Sequence, residues 1–335
     1  MALYQLTLRA ALHLGEFVGV GREAAQEWIP ADSLFAALVT AWAQTGVDVD
    51  ATLKDGQSPF TLTSAFPLAA GVRFYPCPPR LPGFAAQAFQ HDSKALKKIR
   101  WLSQAVLDSL RAGRVPEREF LHGGGLWLTT EERRQIEAAL KPTDGEPLLL
   151  WRHQTVPRVT VDRMSNASAL FHSGRVLFAP NCGLWFAARG DTALIEPALK
   201  YLQDAGLGGL RSIGHGAFTY EPSANDLPAA DGGPALLLSR YAPQTDEELR
   251  GLQTENSAYA LARVGGWCED ADGNPWRRRA VRLVAEGALL PGGARGALVN
   301  VRPEGVAWAG PERPVYRCGL AFTIPAGRLW EGDAP

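Results

Sequence analysis

The densest group of residues able to do chemistry is GLGGLRSIGHG, which places Gly206, Gly208, Gly209, Arg211, Ser212, Gly214, His215 and Gly216 in one short segment. Glycines let a second chain approach the backbone closely, and an arginine among them offers a forked donor to a phosphate. The segment is not a nucleotide loop. A P-loop requires Lys-Ser/Thr after GxxxxG, whereas Gly209 to Gly214 is followed by His215 and Gly216, and a dinucleotide fingerprint requires glycine where Arg211 stands. Both of those motifs also lead from a strand into a helix, while this segment follows a helical pattern and leads into a strand. What remains is contact with a phosphodiester backbone through N–H groups and Arg211, against the plain alternative of a mobile turn.

A second segment, VPRVTVDRMSNASALFHSGRVLF (156–178), has two alternating apolar runs around MSNAS and reads as a long hairpin. Its Arg158, Asp162, Arg163, Asn166, Ser168 and Arg175 suit sugar and phosphate, with an aspartate able to orient an arginine. A solvated hairpin is the plain alternative. Third, Lys94, Lys97 and Lys98 are spaced to gather near one helical face, with Arg100, Phe89 and Trp101 beside them and Arg111 and Arg114 further on. Fourth, Trp276, Arg277, Arg278, Arg279 and Arg282 fit an acidic partner surface, RNA and protein alike. HExxH, GxSxG and His-x-Glu with a downstream CxxC are all missing, and His13, His91, His122, His153, His172 and His215 are dispersed. No catalytic residue, metal site or cofactor is expected. The alternative is a metal-independent RNA-cleaving enzyme in which His215 serves as general acid or base.

The elements that must position these residues follow from periodicity. Residues 3–12 alternate as a strand; Asp32 then caps the helical pattern DSLFAALVTAWAQ. TLTSAF (61–66) and VRFYP (72–76) read as strands joined through Gly71. GLWFAAR (183–189) is a strand, TALIEPALKYLQDA (192–205) a helix with Pro197 tolerated in its first turns, and AFTYEP a closing strand. The order βα, ββ, βαβ, with a large insertion, is the ferredoxin-like arrangement also used by RNA-recognition domains, an α+β fold. EPSANDLPAADGGP (221–234) reads as a linker between a first domain, 1–222, and a second, 235–335. The second has strands at ALLLSRY, SAYALARV, AVRLVAEG and VYRCGLAFTI and a helix near DEELRGLQ.

Composition limits the function classes. The chain has 335 residues, 46% hydrophobic and 21% charged, which excludes disorder and coiled coil. With 34 Lys+Arg against 35 Asp+Glu, any polyanion must be met by a local patch. Cys77, Cys182, Cys268 and Cys318 form no CxxC pair and read as reduced thiols. The start carries no signal-peptide pattern and no apolar run reaches about 18 residues, so a cytoplasmic protein without membrane contact is expected.

The ordered set LHLGEF, IPADSLFAAL, SAFP, VPRVTVDRMSNASALF, GLGGLRSIGHGAF, LSRYAP, YALARVGGW, EGALL and RCGLAFTIP resembles the fourth subunit of the Csm complex, the type III-A CRISPR effector. The matches run from residue 12 to about 325. The glycine-rich segment marks the wider RAMP superfamily, and YALARVGGW with the following EG points to this subunit. The resemblance implies two ferredoxin-like (RRM-like) domains, the first carrying a long hairpin or thumb insertion that folds over the guide. It also implies a non-catalytic, RNA-binding subunit that caps the repeat-derived 5′ handle of the crRNA. The partners it implies are that crRNA, the large polymerase-like Cas subunit and an adjacent backbone RAMP subunit. On the matching positions, Gly206, Gly208, Gly209, Arg211, Gly214, Gly216 and the VPRVTVDR region become crRNA contacts. The chain departs from the family pattern at His215, where an aromatic is common, and at Arg277 to Arg279.

Overall fold

Apolar residues on both sides of ALYQLTL make β1 (Ala2–Leu8) a central strand: Leu3 is buried on one face, Tyr4 and Leu6 on the other. The computed structural model describes residues 1–19, 22–89, 93–142, 145–165, 167–224, 226–311 and 313–331. In chain order the N-terminal elements are β2 (Gly15–Gly19), β3 (Arg22–Ala25), α1 (Ala31–Gln44), β4 (Phe60–Leu62), β5 (Phe66–Ala69) and β6 (Val72–Pro76). There follow β7 (Trp101–Ser103), α2 (Gln104–Arg111), β8 (Glu119–Leu121), β9 (Leu126–Leu128) and α3 (Thr130–Leu140). Then come β10 (Trp151–Val161), β11 (Ser168–Phe178), β12 (Cys182–Gly190), α4 (Ile195–Ala205) and β13 (Phe218–Ser223).

The main sheet runs β13-β1-β12-β5-β6-β7-β9-β8, with β4 added beside β12. Its first four strands are antiparallel neighbours, and α1 and α4 pack against each other. Trp42 of α1 donates to the Leu194 carbonyl just before α4 at 2.9 Å. β5 and β6 turn through Ala70 (φ 48°) and Gly71 (φ 83°), the paired positive dihedrals that a two-residue hairpin needs. The first strand of that hairpin is therefore Phe66–Ala69 and not 61–66. Asp32 does not cap α1. Pro30 holds the cap position, and the Ala31 N–H bonds the Ser64 hydroxyl at 2.8 Å, so a distant serine does what Asp32 was expected to do.

β10 and β11 pair along eleven residues each, from Trp151↔Phe178 to Val161↔Ser168. At ~3.4 Å per residue the arm is roughly 37 Å long. It belongs to a second sheet, β10-β11-β3-β2, in which β10 is an edge strand, the position that tolerates Pro157.

The C-terminal elements are β14 (Ala235–Leu237), α5 (Asp246–Gly251), β15 (Leu261–Val264), β16 (Trp267–Glu269), β17 (Pro275–Arg277) and β18 (Val281–Val284). The last are β19 (Leu289–Leu290), β20 (Gly296–Asn300), β21 (Tyr316–Leu320) and β22 (Thr323–Pro325). They form small sheets, β19-β14-β22, β15-β18, β16-β17 and β20-β21. Bridges Tyr241↔Val284 and Ala258↔Leu289, and the bonds Leu238 N–H to Phe322 O and Ala242 N–H to Gly319 O, link three of these side by side. The resulting order of runs is 258–264, 281–290, 235–242, 316–325. Between the second and fourth runs the described residues form β20 and irregular chain, with no helix. Residues of both parts share one core: Leu236, Leu238, Cys318 and Phe322 pack in the same cluster as Leu34, Phe66 and Trp185. The 221–234 stretch is docked, with Leu227 buried and the Pro228 carbonyl bonded by Arg189.

Candidate nucleic-acid interface

α4 ends at Gly206, whose φ of 83° no side chain adopts cheaply. The chain then folds back on itself and onto the segment after β1. The N–H groups of Gly206, Leu207, Gly209, Gly214 and Gly216 bond the carbonyls of Leu202, Gly216, His13, Arg211 and Ala11. A Cβ on Gly216 would lie 1.9 Å from the Leu207 oxygen, and one on Gly208 2.5 Å from the His13 oxygen. The glycines thus serve a close approach, as expected, but of the protein to its own backbone. These N–H groups are spent inside the fold and are not donors for a phosphate. The exposed residues are Gly209 and the tip Arg211, Ser212, Ile213 and Gly214, and a Cβ on Gly214 would meet nothing within 4 Å.

His215 lies just behind this tip, 8% exposed, with its Nε2 unpartnered. Burial pulls its pKa below the ordinary imidazole range, and the charges of Arg158, Arg175 and His13 pull it further. These causes identify the neighbourhood: the glycine-rich loop, the segment after β1 and the β10–β11 arm converge. Leu12 bridges Val176 of β11, and His13 Nδ1 is 2.6 Å from the Gly174 carbonyl. Arg158 has a buried Nε without a partner, whereas Arg175 donates to Gln154 at 3.0 Å. Burial and the surrounding cations disfavour the protonated form of His215, an arrangement that suits accepting a proton more than donating one. Among the described residues no cluster of three His, Cys, Asp or Glu could hold a metal.

At the far end of the arm, Asp162 shapes the turn. Its carboxylate accepts from the Met164 N–H at 2.8 Å and the Ser165 hydroxyl at 2.9 Å, so it orients backbone and not an arginine. The Met164 bond foremost, then Ser165, holds its pKa below the usual carboxylate range. Arg163 is exposed beside it. The tip is apolar and open: Met164 is 95% exposed, Leu170 65%, Val159 58% and Val161 56%. Asn166, like His91, lies outside the described residues.

The lysines are not brought to this place. Lys94 sits on the single turn Ser93–Leu96, and Lys97 and Lys98 follow it in a turn, so the expected common helical face does not form. All three are exposed, but Phe89 and Trp101 beside them are core residues. The turn leads into β7, five strands across the sheet from β13, roughly 24 Å at ~4.8 Å per strand. The arginine run at 277–282 is divided as well. Arg277 lies over the Trp267 ring at 5.2 Å, Arg279 pairs with Glu304 at 2.6 Å, and Arg282 stands opposite Arg263. His13 was not singled out for a role from the sequence; nothing in its spacing shows that it meets a loop two hundred positions on.

Residues 231–326 match the protein family described as the CRISPR Csm4 C-terminal domain. The Streptococcus thermophilus protein called CRISPR system Cms protein Csm4 is 24% identical over 288 residues, 82% of this chain and 84% of the relative. Its counterpart from Thermococcus onnurineus (strain NA1) is 24% identical over 197 residues, 57% of this chain and 60% of the relative, so this match spans less than two thirds of that protein. A solved Csm3-Csm4 subcomplex of the type III-A CRISPR-Cas interference complex contains a chain with a TM-score of 0.67 at 16% identity, covering 97% of this chain and 99% of that one. A Csm1-Csm4 cassette with AMPPNP gives 0.54 at 16% identity, over 97% and 96%. At such identities the structural likeness is one of fold. Among the described residues no helix is long and apolar enough to cross a membrane. The segment 231–326 thus belongs to the Csm4 C-terminal domain family, and the chain along most of its length is a relative of the Csm4 proteins of type III-A CRISPR complexes.

Proposed function

We propose that this chain is a non-catalytic subunit of a cytoplasmic type III-A CRISPR complex that binds single-stranded RNA and caps the repeat-derived 5′ handle of a crRNA. The observation that carries the reading is the approach of Arg158 and Arg175, packed beside the buried His13 and His215, to the exposed Arg211 tip, a local group of guanidinium charges on a chain of net charge −1. Arg163 and the apolar end of the arm supply a thumb suited to lie over a guide strand, where apolar side chains can meet base faces. Csm4 chains occur with Csm3 and with Csm1 in the solved complexes, and the same two kinds of partner, a backbone RAMP subunit and the large subunit, are assigned here.

The first domain, 1–222, is read as ferredoxin-like because β13-β1-β12-β5 has the 4-1-3-2 order of a βαββαβ unit. The second, 235–335, is read as a reduced copy, since its four linked runs fall in the same order with only the first helix kept.

The test is a salt titration of binding to handle-bearing RNA by the full chain. Arg211→Ala and Arg163→Ala should each weaken binding and lower the salt slope by roughly one counterion. Unchanged affinity in both overturns the assignment. Incubation of the chain with repeat RNA in EDTA should leave the RNA intact; cleavage would establish an enzyme instead.

A further inference from the structure

A cleft of about 510 Å³ separates the glycine-rich loop from the C-terminal strands, within the range of small-ligand sites. Its walls include His13, Arg211, Trp267, Arg278 and Arg317, and no lining residue is acidic. Arg317 and Asp32 form a buried pair at 3.2 Å, with side chains 8% and 2% exposed. The Nε atoms of Arg317 and Arg278 are nevertheless buried with no partner in the protein, a costly state that an anionic acceptor relieves. Arg278 is held in place: its Nη2 donates to the Gly265 carbonyl at 3.1 Å, and a Cβ on Gly266 would lie 2.4 Å from that nitrogen. Trp267 is 58% exposed, with the Arg277 guanidinium over its ring.

The opposite side of Trp267 differs. There a second cleft carries Asp50, Asp55 and Glu269 together with Lys54, Arg278 and Arg313, so its charges balance, and Arg313 is paired with Asp50 at 3.1 Å. The first cleft, lined by Arg211, Arg278 and Arg317 and by no carboxylate, is the better match to an anionic ligand.

We propose that the 510 Å³ cleft holds one nucleotide of the bound single-stranded RNA, its base against the Trp267 indole and its phosphate between Arg211 and Arg278. The assignment rests on the RNA reading above and extends it across the boundary to the C-terminal strands. Burial, and then the Arg317 charge, push the Arg278 pKa down to about 10, so the guanidinium remains charged at neutral pH and gains when a phosphate joins it. Base stacking on an aromatic ring depends little on sequence, and this subsite contributes affinity more than discrimination.

The experiment is fluorescence anisotropy of the full chain with a repeat-derived single-stranded RNA of about ten nucleotides, and with the same RNA carrying one abasic site moved along its length. Trp267→Ala should weaken the intact RNA by about tenfold, and Trp267→Phe by no more than about threefold. One abasic position should reproduce that loss with the native chain and show no further loss with Trp267→Ala. If the abasic scan is flat and Trp267→Ala binds normally while Arg211→Ala still weakens binding, the cleft proposal is overturned and the RNA reading stands. If Arg211→Ala is also without effect, both fall. Should Trp267→Ala not fold, the abasic scan and the Phe variant decide by the same criteria.

Discussion

His215 shows what a single side chain can report. Burial first, then Arg158, Arg175 and His13, disfavour its protonated form, so the folded chain binds a proton there less readily than the unfolded chain does. Any stability linked to it is fully present above the ordinary imidazole pKa of about 6.5 and is lost as the pH falls below it, because the unfolded state then takes up the proton first. A phosphate at the Arg211 tip adds negative charge to the same place and must push the pKa back up. An NMR titration of the ring should therefore give a low value in the free chain and a higher one with RNA bound; an unchanged value means that the RNA phosphates lie elsewhere. The residue types of the loop were legible in the sequence, and their partners were not. Five glycines and an arginine announce a close backbone approach, yet only the fold shows that Gly208 approaches His13 and that Gly216 approaches Leu207. In the same way Asp162 has the composition of a ligand-orienting group and the geometry of a turn former.

At the scale of elements, alternation was a reliable guide wherever a strand has unlike faces. The arm 151–178, β12, α4 and β13 fall close to where the sequence places them, because apolar period and turn residues act locally. The lysine segment differs for the complementary reason: its spacing suits a helix, but Phe89 and Trp101 are drawn into the core on either side, and the described residues between them, 93–100, hold one helical turn. β15 and β18 carry a more telling feature, the exposed arginines Arg263 and Arg282 directly opposite one another. Like charges facing across a strand pair oppose the pairing, and an oppositely charged residue in one position reverses the sign. Arg282→Glu should stabilise the isolated chain by about 0.2–1 kcal/mol in urea unfolding, less at high salt. No gain would show that the two guanidinium groups already avoid each other at no expense.

At the scale of the molecule, the linker expectation and the observed core pull in different directions. Pro, Gly and Asp at 221–234 read as a hinge, but Leu227 is buried there and the strands that follow lay Leu236, Leu238 and Phe322 into the core of the N-terminal sheet. The two parts are also tied by polar groups that neither could leave exposed to the other unpaired. Arg317 reaches Asp32 at the start of α1, and Glu286, paired with Arg240 at 2.9 Å, accepts from Ser64. A buried pair that loses one partner leaves an uncompensated charge, which typically costs 3–5 kcal/mol even where the intact pair contributes little. Asp32→Ala should therefore lower stability by about that amount, against about 0.5 kcal/mol or less for an exposed change such as Asp231→Ala. Because the missing contact joins the two parts, the form of the transition is as informative as its midpoint. Calorimetry of the native chain should show one cooperative unfolding step, since neither part can keep its share of the core once the other melts. Removal of Asp32 then tests whether the ion pair or the apolar contact holds them together: a single peak moved to lower temperature assigns the coupling to the core, whereas two separate peaks assign it to the Asp32–Arg317 pair.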